Sequence, residues 1–346
     1  MSRRVLVTGG GGVVGGAVVH ALLDRGDAVR SLARGDYPRL RARDVEVHRG
    51  DLADLAAVER AVNGCDAVVH TAAKADFSLD PRPYVATNVV GTANVIAACR
   101  RRGVPHLVHT STPSVVFDGR SITGGDESLP YPARHDAPYP ATKARAEQLV
   151  LAANGDGLAT VALRPHLVWG PGDTQLTAEI LRRARAGRLR LVDHGEAVVD
   201  ATFIDDAAAA HVLALDALAG PAGPEQRPVA GRALFIGSDH PLPIATMVNG
   251  ILSAAGLPPE HRSVPFGVAY ALGAVSEAVW RATRRAGRPP VTRHLVRQQA
   301  TSHWFDLTAA RRDLGYRPRV TPEEGFERLA TSLRSSAVGE RDPAAG

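Results

Sequence analysis

Lysine is almost absent from this chain of 346 residues: Lys74 and Lys143 are the only two, so arginine fills the other 39 of 41 basic positions. Cysteine is as scarce, with Cys65 and Cys99 standing alone. That excludes a disulfide framework and any cysteine-based metal spacing, and no metal is expected. No uninterrupted apolar run approaches the ~20 residues that cross a bilayer. The start, MSRRVLVTGG, runs straight into a strand pattern without the apolar core of a signal peptide, so a cytoplasmic protein is expected.

Aromatics make up 5% of the chain, and the arginines are spread along it without interleaving with them. A net charge of +5 therefore does not read as a nucleic-acid stripe, and no nucleic-acid partner is expected. Arginine is the default surface cation here. Each lysine then asks for a reason.

What is present is an alternation. RVLVTG, AVRSLAR, VEVHRGD, DAVVHTAA and HLVHTSTPSV are short β-branched runs separated by helical patterns such as GAVVHALLDRG and NVVGTANVIAACRRRG. Strand–helix repetition of this kind predicts an α/β fold, a doubly wound parallel Rossmann sheet over residues 1–165, with ligand at the carboxyl ends of the strands. Segments about 195–238 are expected to return to it. Residues 166–194 and 239–335 are expected to form a smaller, mostly helical substrate lobe, 219–231 a Pro/Gly-rich surface loop, and 336–346 a disordered tail. Within the lobe, 265–285 reads as a core helix with a solvated basic end. The other reading makes Phe266, Val268, Tyr270, Leu272, Val275, Val279 and Trp280 an apolar wall for substrate, with Arg281, Arg284, Arg285 and Arg288 facing a carboxylate or a membrane surface.

TGGGGVVGG, residues 8–16, sits between a strand and a helix, where glycine spacing signals a dinucleotide. Gly9 permits the tight turn, Gly12 lets amides approach a pyrophosphate, and Gly15 lets helix and strand pack closely; Val13 and Val14 open the helix whose N-terminus faces the anion. The second strand ends SLARGDYP, with Arg34 where an acid would bind the adenosine ribose. A guanidinium fork pairs with a 2′-phosphate, so NADP(H) is expected, helped by Arg30 and Arg39, with NAD(H) as the alternative through Asp36. Asp51 and Leu52 follow the third strand and should meet adenine. Ala72, Ala73 and Lys74 follow the fourth and should lie beside the phosphates and nicotinamide ribose.

PYPATK places Tyr139 and Lys143 on one face at a helix start, because Pro140 suits the first turn and the pair is i, i+4. An ammonium facing a phenol would lower its pKa and ready it for proton exchange with a carbinol oxygen. Three rotatable donors would let that ammonium bond a ribose hydroxyl as well, which explains a lysine in this position. TSTPSV, 110–115, puts further hydroxyls at the sheet's carboxyl edge.

Together these residues resemble the extended short-chain dehydrogenase/reductases: the glycine loop, GDLAD at 50–54, NVVGTANV at 88–95, TSTPSV, Tyr139-x-x-x-Lys143 and RPHLVWGPGD at 164–173. The resemblance implies Thr112 as catalytic hydroxyl with Ser111 beside it. It also places Thr110, Pro165, His166 and Val168 near the cofactor, gives Asn88 a helix-anchoring role, and implies a homodimer. The PYPxSK form is similar to that of the 3β-hydroxysteroid and sterol-4-carboxylate dehydrogenases. APYPATKARAEQLVLAAN, GRLRLV, PPVTRHLVRQQATSHWF and ARRDLGY look like the bacterial 2-alkyl-3-oxoalkanoate reductases of long-chain olefin biosynthesis. That implies reduction of the 3-keto group of a hydrophobic small-molecule acid, with association at a membrane surface or with pathway enzymes open. The alternatives are a steroid or sterol dehydrogenase, a nucleotide-sugar epimerase, and a non-catalytic NADP sensor.

Overall fold

The computed structural model describes residues 2–220, 228–285 and 287–339. Seven strands form the main sheet: β1 (Arg4–Thr8), β2 (Ala28–Ala33), β3 (Glu46–Arg49), β4 (Ala67–His70), β5 (His106–Thr110), β6 (Ala159–Pro165) and β7 (Arg232–Ile236). Their order is β3-β2-β1-β4-β5-β6-β7, and every neighbouring pair is parallel. The expected doubly wound α/β fold is the observed one. Parallel sheets are covered on both faces, which is why β4 and β6 are buried along their whole length. The order reverses between β1 and β4, where Thr8 pairs with His70; open parallel sheets form their ligand crevice beyond the strand ends at such a reversal.

Local chemistry fixes the helices that pack on this sheet. Asp54 caps the helix Leu55–Val62 by accepting from the Ala56 and Ala57 amides at 3.0 and 3.3 Å. Gly103, at φ 67°, closes the helix Gly91–Arg102, with Val104 N–H returning to Cys99 O at 2.9 Å. Pro138 opens the helix Pro138–Ala152 after an extended Ala137.

The helices Leu176–Arg185 and Ile244–Ala254 pack with Trp169, Phe203 and Val320 around a second core, while Phe266–Ala282 and Arg293–Ala300 pack with Val192 beside it. Three expectations change. Residues 239–335 do not all belong to the substrate lobe: Phe305, Leu307, Ala309, Ala310, Leu314 and Tyr316 fill the Rossmann core. His303–Phe305 joins a small sheet beside Ile122–Gly125. The last helix runs from Pro322 to Gly339, so 336–339 are helical, while 340–346 and 221–227 of the expected loop lie outside the described residues. The helix Phe266–Ala282 is no core helix, since it buries only Ala269, Gly273 and Glu277.

Candidate active site

Close packing at the first β-to-helix turn leaves no room for side chains. Gly9 adopts φ +72°, and a Cβ there would sit 2.9 Å from Ala72 Cα; one on Gly15 would sit 2.2 Å from Gly9 O. Gly12 N–H closes the turn on Gly9 O at 2.8 Å. The helix Val13–Asp24 starts with no side-chain cap on Gly12, so the first-turn amides of Val13, Val14 and Gly15 are left for an anion. Ala72 N–H donates to Thr8 Oγ1 at 3.2 Å, which draws the loop after β4 over the same turn. Bare backbone, unsatisfied donors and a switch point together fit a dinucleotide pyrophosphate.

Around the adenosine end, Arg34 is exposed just beyond β2, with Arg49 Nε donating to its carbonyl at 3.1 Å. Asp36 pairs with Arg41 at 3.1 Å. Arg30 is not an ancillary phosphate ligand: it is buried, bonded to Glu46 and to the Ala61 and Asn63 carbonyls, because the alternation of β2 points it under the neighbouring helix's end. Asp51 caps its own turn through Ala53 N–H, and Leu52 is buried beneath Gly91. Ala73 is exposed at the crevice. The Lys74 ammonium is drawn to Asp76 at 2.6 Å.

Thr112 and Tyr139 come together above β5. Thr112 also begins the turn Pro113–Val115, accepting from Ser114 N–H at 3.2 Å. Burial pushes the Tyr139 phenol up to about 12, and a hydrogen-bonding interaction with Thr112 acts the other way. The buried Oγ of Ser111, the preceding residue, has no hydrogen-bond partner among the described residues. The expectation that Lys143 faces the phenol and acidifies it is not met. Its Nζ donates to Thr110 O at 2.6 Å and lies 3.2 Å from His109 Nε2, and burial pushes it down to about 8. Desolvation dominates both groups, since among the described residues neither finds an opposite charge at contact distance, and the Glu147 carboxylate only partly offsets it at Lys143.

The side chains of the remaining expected residues are engaged with the protein itself. Thr110 Oγ1 pairs with His211 Nε2 at 2.7 Å, so its carbonyl rather than its hydroxyl meets Lys143. Pro165 ends β6, and the His166 ring packs edge-on to His303 and Phe305 while Val168 packs on the second core. Asn88 acts as an anchor: its Oδ1 accepts from Lys74 N–H at 2.7 Å, and its Nδ2 donates to Lys74 O and Thr142 Oγ1, each at 3.1 Å.

Sequence reasoning missed two neighbours. His109 contacts the Lys143 ammonium and is kept neutral by burial and that charge. Glu147, one turn beyond Lys143, forms a fully buried pair with Arg164 at 2.7 and 3.0 Å and accepts from Tyr131 Oη at 2.6 Å. The signal was available: an acid at i+4 from the lysine, and an arginine as the one charged residue in the mostly apolar β6.

Residues 6–266 match the model of the 3-beta hydroxysteroid dehydrogenase/isomerase family. A 2-alkyl-3-oxoalkanoate reductase of Stenotrophomonas maltophilia is 49% identical over 95% of this chain and 99% of its own length. A protein of the same name from Shewanella oneidensis is 44% identical over 95% of this chain and 86% of its own. The UDP-glucose 4-epimerase of Thermus thermophilus, solved with NAD, superimposes with a TM-score of 0.71 at 26% identity, covering 96% of this chain and 99% of its own. The glycine turn, the Tyr139-x-x-x-Lys143 helix and the likeness along nearly the whole length converge. The chain belongs to the 3-beta hydroxysteroid dehydrogenase/isomerase family of extended short-chain dehydrogenase/reductases, and is an oxidoreductase that works with a nicotinamide cofactor.

Proposed function

We propose that the protein uses NADP(H) to reduce the 3-keto group of a 2-alkyl-3-oxoalkanoic acid to the 3-hydroxy acid. The observation that carries this reading is the 49% identity to a reductase of that name over 95% of the chain. It includes the substrate lobe, which cofactor binding alone does not demand. Reduced nicotinamide supplies a hydride when bound. Thr112, with Ser111 at its side, donates to the carbonyl oxygen as negative charge grows there. Tyr139 then gives that oxygen its phenolic proton, completing the alcohol, and recovers a proton from solvent.

A tyrosine pushed up to about 12 is protonated at neutral pH, and a protonated phenol is the acid that reduction requires. Arg34, exposed at the β2 end while Asp36 is paired with Arg41, supports preference for the 2′-phosphate.

The test is loss of NADPH absorbance with a 2-alkyl-3-keto acid, with a 3β-hydroxysteroid and NAD⁺ in a parallel arm. Turnover on the keto acid, abolished in Tyr139→Phe with cofactor affinity kept, is the expected result. Turnover on the steroid alone, or full activity in Tyr139→Phe, overturns the reading.

A further inference from the structure

We propose that the outward face of the helix Phe266–Ala282 docks on a membrane surface containing anionic lipid. Seven large hydrophobic side chains are exposed among the described residues, and five belong to this helix. Val268, Leu272, Val275 and Val279 are 52%, 57%, 62% and 45% exposed, and their spacing of four, three and four puts them in one stripe. The usual amphipathic arrangement is inverted. Glu277, the only charged residue between Phe266 and Trp280, faces inward at 5% exposure, held by the Arg293 backbone N–H and guanidinium at 2.7–3.0 Å. An apolar stripe this large and free of charge marks a surface that is covered in use.

Its flanks select the occupant. Arg281 in the last turn of the helix and Arg284 and Arg285 just beyond it are exposed; Arg281 reaches back to Glu277 at 3.3 Å, while Arg284 and Arg285 have no carboxylate partner among the described residues. Phe266 and Trp280 stand near the two ends of the stripe. Protein interfaces centre on tyrosine, tryptophan and arginine anchors, whereas this stripe is valine and leucine with cations at its edge, the composition of an interfacial helix on anionic lipid. The net charge of +5 acts in the same sense.

Behind the stripe the helix reaches the site. Tyr270 Oη accepts from Arg297 at 2.8 Å, and Gln298 on that next helix lies 3.4 Å from Ser114 Oγ, two residues from Thr112. Resting here on the proposed keto acid, docking brings the site's border to the layer that holds long alkyl chains.

Cosedimentation of the full chain with vesicles tests this without turnover, so it can fail while the reductase reading stands. Binding to phosphatidylglycerol/phosphatidylcholine vesicles, little binding to phosphatidylcholine alone, and loss with salt are expected. Leu272→Asp with Val275→Asp should abolish binding with the melting temperature unchanged. Arg284→Ala with Arg285→Ala should weaken it roughly thirtyfold, from ~1 kcal/mol per cation near the surface. Absence of pelleting, or variants that pellet like the wild type, overturns the proposal. So does self-association that Leu272→Asp with Val275→Asp removes while no vesicle binds, which would give the face to a second copy.

Discussion

Replacing Glu147 with glutamine tests how much of the catalytic helix is held by charge. The carboxylate is 0% exposed and the Arg164 side chain 3%, so neither ion can be rehydrated when its partner goes. Glutamine keeps the shape but turns one acceptor into a donor and leaves a buried guanidinium uncompensated. Breaking such a pair from one side costs about 3–5 kcal/mol. Unfolding entropy of ~2.1 cal/mol/K per residue gives about 0.7 kcal/mol/K for a chain of this length, so melting should fall by about 4–7 °C. Thermal unfolding at neutral pH reads this directly. The double variant Glu147→Leu/Arg164→Met should recover most of the loss, because both desolvation penalties go together. A fall under about 1 °C, or a double variant as unstable as the two singles combined, refutes the reasoning. Turnover carries a second signature: Glu147 raises the proton affinity of Lys143, so its loss should shift a lysine-dependent limb of the pH profile toward acid.

Arg34→Ala should weaken NADPH by about 1.5–3 kcal/mol, the strength of a charged hydrogen bond, and leave NADH nearly unchanged; equal losses in titration would remove the residue from the phosphate site. Gly15→Ala puts a methyl 2.2 Å from the Gly9 carbonyl oxygen, a backbone atom that cannot step aside, and should cost cofactor affinity and ~1–3 kcal/mol of stability. Wild-type binding in that variant would show that the turn is looser than its geometry. Lys143 sits at about 8 in the fold against an ordinary 10.5, so between those values the unfolded chain binds more protons. Stability relative to Lys143→Met should therefore rise with pH across that window, by up to about 3 kcal/mol, and a flat difference in denaturant titrations would contradict it.

The cofactor half was legible because its constraints are local: glycines spaced for one turn, strands of uniform β-branched character and a proline at a helix start act within a few residues. The orientation of Lys143 was not, since it depends on the Thr110 carbonyl and on His109, more than thirty residues away, and on a desolvation cost no pattern records. Arg30 misled for the same reason, as its partners at Ala61 and Asn63 arrive only through the fold. The return of Phe305–Tyr316 to the main core escaped because a three-residue strand and a seven-residue helix carry too little periodicity. In the helix Phe266–Ala282 alanine and valine occur all round, so its sequence says apolar without saying which face is covered. The inward-facing Glu277 removes the usual clue.

Asn88 ties together two segments that meet at the site. It lies in a π-helical stretch, Val85–Val90, whose wider turn changes the direction of the side chains it carries. From there one amide satisfies both backbone groups of Lys74 and donates to Thr142, whose hydroxyl donates in turn to Pro138 O at 2.8 Å. The loop carrying Ala72–Lys74 and the first turn carrying Tyr139 are thus tied through a single buried side chain. The ladders that join β1, β4 and β5 stop at the strand ends, so something other than the sheet must set the spacing between the segments that rise beyond them. Here that spacing is set by side-chain hydrogen bonds, which fix distance and direction at once, and the phenol meets the Thr112 hydroxyl on a wall that cannot drift from the cofactor turn.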